Sequence, residues 1–431
     1  MASRVVGALR PTVTRVRGSF VVVGVGCLAA TLRCWYVWRT RQPPDFGFDS
    51  QTYFSLASSL VTDHRYVSPY YPGQPRTALF PPGLPVLLAA FRLAGVTTYA
   101  HAAYALSVIG AMSAITIALV GGRLFGWRVG ATAGILAACY PMFILADGAM
   151  MSEGPFLFLV CVTMLLCLRA KSSAGLWPWF IVGIPIGLAA LTRSDGLLLL
   201  PFLGVLAAVM RGGRVRDIVV RSALAGLIPV VLVAAWVVRN QIEVGYPVPI
   251  GVNSWTAIGG ANCDSTYHGE LLGSWDSHCL HLADRQRQGL GEVAGGIVTR
   301  DDAERYVRAH LSRLPVVLAA REGRTFGLYQ PWRELRAEAF FESRDYTVSK
   351  WGYYMYLALV PLAVAGGWLS RHRLGRRKVI LLCGPIAMVF VTSLIGYGNQ
   401  RFRIAAEPTL VLFAAVALTS IRRPVRNVMF P

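Results

Sequence analysis

The 431-residue chain reads as an all-α polytopic membrane protein of about ten transmembrane helices, with juxtamembrane helices in a first outward loop and a longer outward loop at 239–350. Three observations predict that class. Hydrophobic residues make up 55% of the chain and charged residues 15%, and the mean hydropathy is +0.50, too apolar for a soluble protein of this length. Apolar stretches recur along the whole chain at lengths near the roughly 20 residues a spanning helix needs, because backbone polar groups in lipid must be satisfied within the segment. Basic residues, finally, gather in alternate short connections.

The spans fall at 18–38, 99–122, 129–146, 154–168, 177–192, 196–210, 218–238, 351–370, 379–396 and 404–420. Arg4, Arg10, Arg15 and Arg17 precede the first, and Arg123, Arg128, Arg169 and Lys171 follow the second and fourth. Arg211, Arg214, Arg216 and Arg221 surround the entry of the seventh, Arg371, Arg373, Arg376, Arg377 and Lys378 fill a later loop, and Arg422, Arg423 and Arg426 lie in the tail. The positive-inside rule places all of these, and both termini, in the cytoplasm. The organisation follows: a membrane module over 1–238 that includes the outward loop 39–98, an outward region at 239–350, and C-terminal spans over 351–431.

Within 39–98 the apolar stretch Leu84-Pro85-Val86-Leu87-Leu88-Ala89-Ala90-Phe91, flanked by Arg65, Arg76 and Arg92, reads as a helix at or partly in the membrane. As a full span it would invert every later loop. The region 239–350 is too long and polar for a connector and is expected to form small helices against the outer membrane face.

The net charge of +20 is a matter of topology. Of the acidic residues only Asp217 falls on the cytoplasmic side, whereas the basic residues of the tail, the termini and the cytoplasmic loops named with the spans all do. They sit in short loops with no aromatic-interleaved patch, which argues against nucleic acid and for contact with anionic lipid headgroups. Cys27, Cys34, Cys139, Cys161, Cys167 and Cys383 lie in or beside spans, where cysteine acts as a small apolar residue. Cys263 and Cys279 share the outward loop, where an oxidising exterior favours a disulfide; metal binding with His268, His278 or His281 lacks a paired-ligand motif.

Candidate chemistry gathers at the outer face. Asp49, in Gly47-Phe48-Asp49-Ser50-Gln51-Thr52-Tyr53, shares a helix face with Tyr53, so carboxylate and phenol address one cavity. As an alternative, Asp49 is the N-cap of a helix over 50–61. Glu153, in Met151-Ser152-Glu153-Gly154-Pro155-Phe156, stands at the outer mouth of the fourth span, where an ionisable group is costly unless it faces a cavity or partner. It also reads as a solvated helix start favoured by the helix dipole. Two such carboxylates divide the work as general base and as holder of a divalent cation or positioner of an acceptor. Arg193 with Asp195, Arg239, and Arg401 with Arg403 lie at the same level. Each alone suits snorkelling or a local ion pair, but together beside two carboxylates they suit a phosphate-bearing substrate.

These motifs also have an order. Asp49-x-x-x-Tyr53, Phe80-Pro81-Pro82-Gly83-Leu84-Pro85, Ser152-Glu153-Gly154-Pro155-Phe156, Leu191-Thr192-Arg193-Ser194-Asp195-Gly196 with Leu200-Pro201, Arg239-Asn240, and Gly398-Asn399-Gln400-Arg401-Phe402-Arg403 with Glu407-Pro408 follow one another through most of the chain. The series resembles the polytopic glycosyltransferases of the GT-C superfamily, in particular the bacterial family related to protein O-mannosyltransferases and the aminoarabinose transferase of lipid A. The resemblance implies a hexosyl- or pentosyltransferase of the bacterial plasma membrane. It would take a polyprenyl-phosphate-linked sugar and act on a glycan, lipid or protein acceptor at the outer face. It implies an inverting reaction with Asp49 as base; beside that base, the residues themselves suggest Glu153 as metal or acceptor partner, Arg193, Arg239 and Arg401 as donor-phosphate contacts, and Tyr53 and Arg403 as further substrate-binding residues.

No nucleotide cofactor is implied, and no nucleotide-binding glycine-rich loop is apparent. The chain departs from some relatives in lacking a lysine before the Pro-rich turn, so Arg76 or a later arginine must substitute, and in having Glu153 where some carry aspartate. With no sizeable soluble domain after the last span, the acceptor is expected to meet 39–98 and 239–350. Two other readings stand beside the transferase: a transporter or flippase of lipid-linked sugars, and a non-catalytic partner in envelope synthesis. A transporter would place ionisable groups near the midplane in two related halves, whereas here they cluster at one face without a repeat.

Overall fold

A computed structural model of the chain describes residues 2–40, 48–71, 73–342 and 344–421. Gly47 and the tail arginines Arg422, Arg423 and Arg426 lie outside them. Among the described residues the regular secondary structure is all helix, with one isolated bridge between Val67 and Arg76. That is the all-α polytopic class.

Helix α1 (Ala2–Thr40) carries the first span and α2 (Phe48–Thr62) follows it. The stretch after the Pro81-Pro82 turn forms α3 (Gly83–Leu93), an 11-residue helix too short to cross a bilayer, and α4 (Tyr99–Phe125) opens on a Thr98 cap that accepts from the His101 amide. The expected span 129–146 is broken into α5 (Trp127–Cys139) and α6 (Pro141–Gly148), bent by 57°. Pro141 explains the bend, since it has no amide to continue the ladder and its ring clashes with the preceding turn.

Helices α7 (Glu153–Ser172) and α8 (Trp177–Thr192) pack on each other, and a 3-10 turn and a π-helical stretch then run from Ser194 to Val205 into α9 (Leu206–Arg211). Helix α10 (Val215–Val244) lies against α8 and leaves most of its apolar side chains exposed, as suits lipid. Seven described helices are long and apolar enough to span, or eight with the bent pair, and α8 is a shorter apolar helix.

The region 239–350 folds as six helices, α11 (Asn253–Ala261), α12 (Asp264–Tyr267), α13 (Leu282–Arg287), α14 (Glu292–Ala309), α15 (Leu314–Thr325) and α16 (Pro331–Phe341), with 3-10 turns between. Cys263 and Cys279 are joined by a disulfide across the α12 turn. The chain closes with α17 (Tyr346–Leu374), α18 (Arg376–Ile395) and α19 (Glu407–Ile421), the last a shorter apolar helix after a 3-10 turn at Gln400–Ala405.

Small residues set the packing of the bundle. A continuous core joins α1, α4–α9 and α17–α19 through residues such as Ala29, Ala114, Ala118, Ala133, Ala137 and Ala414, which let helix axes approach closely where lipid supplies no hydrophobic drive. A second cluster packs Tyr53 and Leu56 of α2, Phe80, Leu84 and Leu88 of the α3 unit, and Met150 and Met151 of the loop before α7. This cluster seats α2 beside the mouth of α7.

The segment before α3 and the region 239–350 are tied together. The Glu292 carboxylate accepts from the Thr77 hydroxyl (2.5 Å) and the Ala78 amide (2.9 Å). The Ala78 and Leu79 carbonyls take the amides of Val252 and Asn253, each at 2.9 Å.

Candidate active site

Glu153 is the hub. It is the first residue of α7, its side chain is 0% exposed, and its Oε1 faces three guanidiniums: Arg401 Nε at 2.8 Å, Arg193 Nη1 at 3.2 Å and Arg344 Nη2 at 3.8 Å. The other oxygen, Oε2, has no hydrogen-bond partner in the protein. A buried carboxylate is tolerable only when paired, and here the pairing is threefold.

Each guanidinium has a second carboxylate. Arg193 Nε bonds Asp195 Oδ1 at 3.0 Å and the group lies over the rings of Phe156 and Phe402. Arg401 bonds Glu342, and Arg344 Nη1 is 3.6 Å from Glu338 Oε2. The side chains of Arg193 and Arg401 keep 11% and 10% exposure, so an anion can still reach them.

Local sequence explains these positions. Thr192 ends α8, and the Asn399 side chain accepts the Arg401 amide at 2.8 Å and starts the 3-10 turn that aims Arg401 inward. Gly83 of the Pro-rich turn packs so tightly on the end of α8 that a Cβ there would sit 2.7 Å from the Leu191 carbonyl oxygen. That contact joins the Phe80–Gly83 motif to the Leu191–Gly196 motif.

Asp49 lies in the first turn of α2, half-buried, within electrostatic reach of Arg401, Glu153 and Arg193. Burial pushes its carboxyl above the ordinary range; Arg401 and Arg193 pull it down and Glu153 pushes it up. Tyr53, one turn on, is buried against Phe80 with ring centroids 4.8 Å apart, and its hydroxyl is hydrogen-bonded with Ser152, the residue before Glu153. Burial and then Asp49 raise the Tyr53 phenol, which therefore stays protonated. Tyr70 reaches over the same helix, bonded to Thr52 and half-exposed.

Other arginines singled out in the sequence are placed differently. Arg76 pairs with Glu243 at 2.8 Å. Arg239 donates to the carbonyls of Thr77 (2.6 Å) and Tyr66 (3.3 Å) and lies over the Trp236 and Tyr66 rings, so it braces the loop before the Pro-rich turn. Arg403 is sealed at 1% exposure, with Nε on Glu407 Oε1 at 2.7 Å and its guanidinium 3.5 Å from the centre of the Tyr356 ring. Its charge is spent on Glu407, which also accepts from the Tyr140 hydroxyl at 3.1 Å.

Glu153 does not fit a metal ligand. A divalent cation on Oε1 would face three guanidiniums at close range. Among the described residues no group of three or more His, Cys, Asp or Glu is arranged to hold a metal. Reading the sequence missed Arg344, Glu338 and Glu342, which are three charges among many in a polar loop. The one available signal was the position of Arg344-Asp345 immediately before the apolar helix that follows.

The sequence model of the dolichyl-phosphate-mannose-protein mannosyltransferase family matches residues 81–238. The structure resembles that of the oligosaccharyltransferase AglB from the archaeon Archaeoglobus fulgidus, solved with an inhibitory peptide and a dolichol-phosphate, at 17% identity and a TM-score of 0.53. The match covers 94% of this chain and 50% of AglB. The same protein in its apo form matches at 15% identity and 0.58, covering 94% and 50%. In complex with zinc and sulfate it matches at 16% and 0.56, covering 93% and 49%. The chain thus spans about half the length of these structures, and at such identities the likeness is one of fold. No curated protein matches the chain. The family match and the shared fold bear out the resemblance to the GT-C superfamily.

Proposed function

We propose that the protein is an inverting glycosyltransferase that moves a sugar from a polyprenyl-phosphate donor to an envelope glycan, lipid or protein acceptor on the outer face of the plasma membrane. The observation that carries this reading is the meeting of Asp49, Tyr53, Glu153, Arg193 and Arg401 at one end of the bundle. The fold and family likenesses support it, and so does an AglB structure that holds a dolichol-phosphate.

In this mechanism the donor phosphate docks on the accessible edges of Arg193 and Arg401. Arginine suits that task because its planar fork holds two phosphate oxygens and keeps its charge. Asp49 accepts the proton of an acceptor hydroxyl as that oxygen attacks C1 of the sugar. The C1–O bond to phosphate breaks, its electron pair stays on the phosphate, and the configuration at C1 inverts. The guanidiniums meet the charge that develops on the leaving phosphate, which makes them stabilisers of the transition state.

Glu153 acts as the counter-anion that keeps three arginines together in the absence of donor. Tyr53, protonated, orients Ser152 and the carboxylate of Asp49. Arg239 and Arg76 serve the scaffold of the acceptor side, and Arg403 braces the arginine turn from behind. The positive charge for the leaving group comes from guanidinium, so a divalent cation has no place on Glu153 in this scheme.

The test uses purified protein in lipid nanodiscs supplied with polyprenyl-phosphoryl mannose or polyprenyl-phosphoryl arabinose and with an envelope fraction of glycans, lipids and proteins as the source of acceptor hydroxyls. Release of polyprenyl phosphate by the wild type, lost in Asp49→Asn with donor binding retained, is the expected result. Equal release by Asp49→Asn would remove the base. Movement of intact donor across a sealed bilayer without breakdown would favour the flippase reading instead.

A further inference from the structure

One buried ion pair lies outside the site and inside the membrane bundle. Arg33 of α1 and Asp147 of α6 are both 0% exposed, with Nε and Oδ2 2.7 Å apart. Ionisable groups at such depth are expensive and usually functional. Where the guanidinium points is informative. Its Nη1 donates to the carbonyl of Ala138 at 3.1 Å and to that of Ala29 at 3.3 Å, and its Nη2 donates to the carbonyl of Ala137 at 3.4 Å.

In an unbroken helix the Ala137 carbonyl would accept the amide of residue 141, which here is a proline and has none. Arg33 therefore supplies the donors that the break at Tyr140-Pro141 takes away, and Asp147, on the far side of the same break, balances its charge. A carbonyl left without a partner in lipid is costly, so the bend persists because this fork satisfies it.

Asp147 also touches the neighbouring helices directly. A Cβ on Gly110 of α4 would lie 2.1 Å from its Cγ, and one on Gly154 of α7 would lie 3.0 Å from its Oδ1. Gly154 is the next residue after Glu153. The pair thus sits where α1, α4, α5, α6 and α7 meet, and Asp147 is six positions along the chain from Glu153, the hub of the site.

We infer that Arg33 and Asp147 are positioning residues, which fix the bend between α5 and α6 and through it the place of Ser152 and Glu153 opposite Asp49. The inference rests on the reading of Glu153 as the organiser of the donor-phosphate arginines. Neither residue touches substrate; both act through the Gly148–Ser152 run.

Stability and positioning separate in two variants. Arg33→Met/Asp147→Asn removes the pair; adding Pro141→Ala returns an amide to the Ala137 carbonyl and straightens the span. The double variant melts lower and turns over polyprenyl-phosphoryl mannose about a hundredfold more slowly, the cost of misplacing a site from a distance. The triple variant regains the melting temperature and still binds polyprenyl phosphate, yet its turnover stays down. Should turnover recover together with the melting temperature, or the double variant turn over at the wild-type rate, the pair is only a stabiliser and the inference falls. A double variant that does not fold leaves the triple variant to decide. Wild-type protein that breaks down neither sugar donor would defeat the transferase reading and this inference with it, whereas an active wild type with an equally active triple variant defeats the inference alone.

Discussion

Glu153→Gln tests the arginine hub most directly, because it removes one charge and keeps the shape. Three guanidiniums approach Oε1 at 2.8, 3.2 and 3.8 Å, and each retains another carboxylate, Glu342, Asp195 or Glu338. The loss of stability should therefore fall at the low end for a broken buried pair, about 3 kcal/mol. Donor binding should move the other way. Glu153 and a bound phosphate would sit on opposite sides of one guanidinium, about 7 Å apart, and repel by roughly 2 kcal/mol at an effective dielectric of about 20. Without that repulsion polyprenyl phosphate binds about thirtyfold more tightly. Turnover falls about a hundredfold, since the guanidiniums are no longer held in a common plane of attack. Fluorescence titration with polyprenyl phosphate and release of phosphate from polyprenyl-phosphoryl mannose read the two effects. Weaker binding with unchanged turnover would refute the reasoning, because Glu153 would then be neither a competitor of the phosphate nor its organiser.

Asp49→Asn should lower turnover by at least about a hundredfold while raising the melting temperature. Burial lifts the Asp49 carboxyl in the folded state, so its ionised form costs stability that is fully present above the folded value, shrinks as pH falls below it and is gone at the unfolded value. For the same reason the acid limb of the wild-type rate profile should lie above the ordinary carboxylate range, and a limb at or below that range would count against Asp49 as base. Arg401→Lys loses the fork that spans Glu153 and Glu342, and its donor KM should rise about tenfold in steady-state assays. Cys263→Ser/Cys279→Ser opens a loop with a sequence separation of 16, and denaturant titration should show it about 3 kcal/mol less stable on the chain-entropy view. Turnover per folded molecule should not change in that variant.

Much of the bundle was legible because lipid imposes a simple rule on the backbone. The stretches 99–122, 218–238 and 379–396 announce themselves by length and apolarity, and helices occupy them. The bend at Tyr140-Pro141 was legible only in part: Pro141 was visible, but a proline can also sit in a straight span with its lost bond made up elsewhere. At the site, Asp49 and Tyr53 could be joined by the helical repeat, whereas their meeting with Arg401, some 350 residues on, depends on tertiary packing. Arg403 shows the limit from the other side. It shares a motif with Arg401 two positions away, and the 3-10 turn sends one toward the mouth and the other into the bundle. Arg33 and Asp147 escaped attention because each is a lone charge inside an apolar run, and no local pattern says that the two meet.

The strip Thr77–Leu79 carries an implication for how such a protein can be altered. The Thr77 hydroxyl and the Ala78 amide are held by Glu292, and the carbonyls of Thr77, Ala78 and Leu79 by Arg239, Val252 and Asn253. The segments 48–98 and 239–350 are consequently one mechanical part, although more than 150 residues separate Thr77 from its partners in the chain. A graft that exchanged 239–350 alone would leave Thr77 and Ala78 without their carboxylate and bury their polar groups unmatched. The exchangeable unit is both segments together.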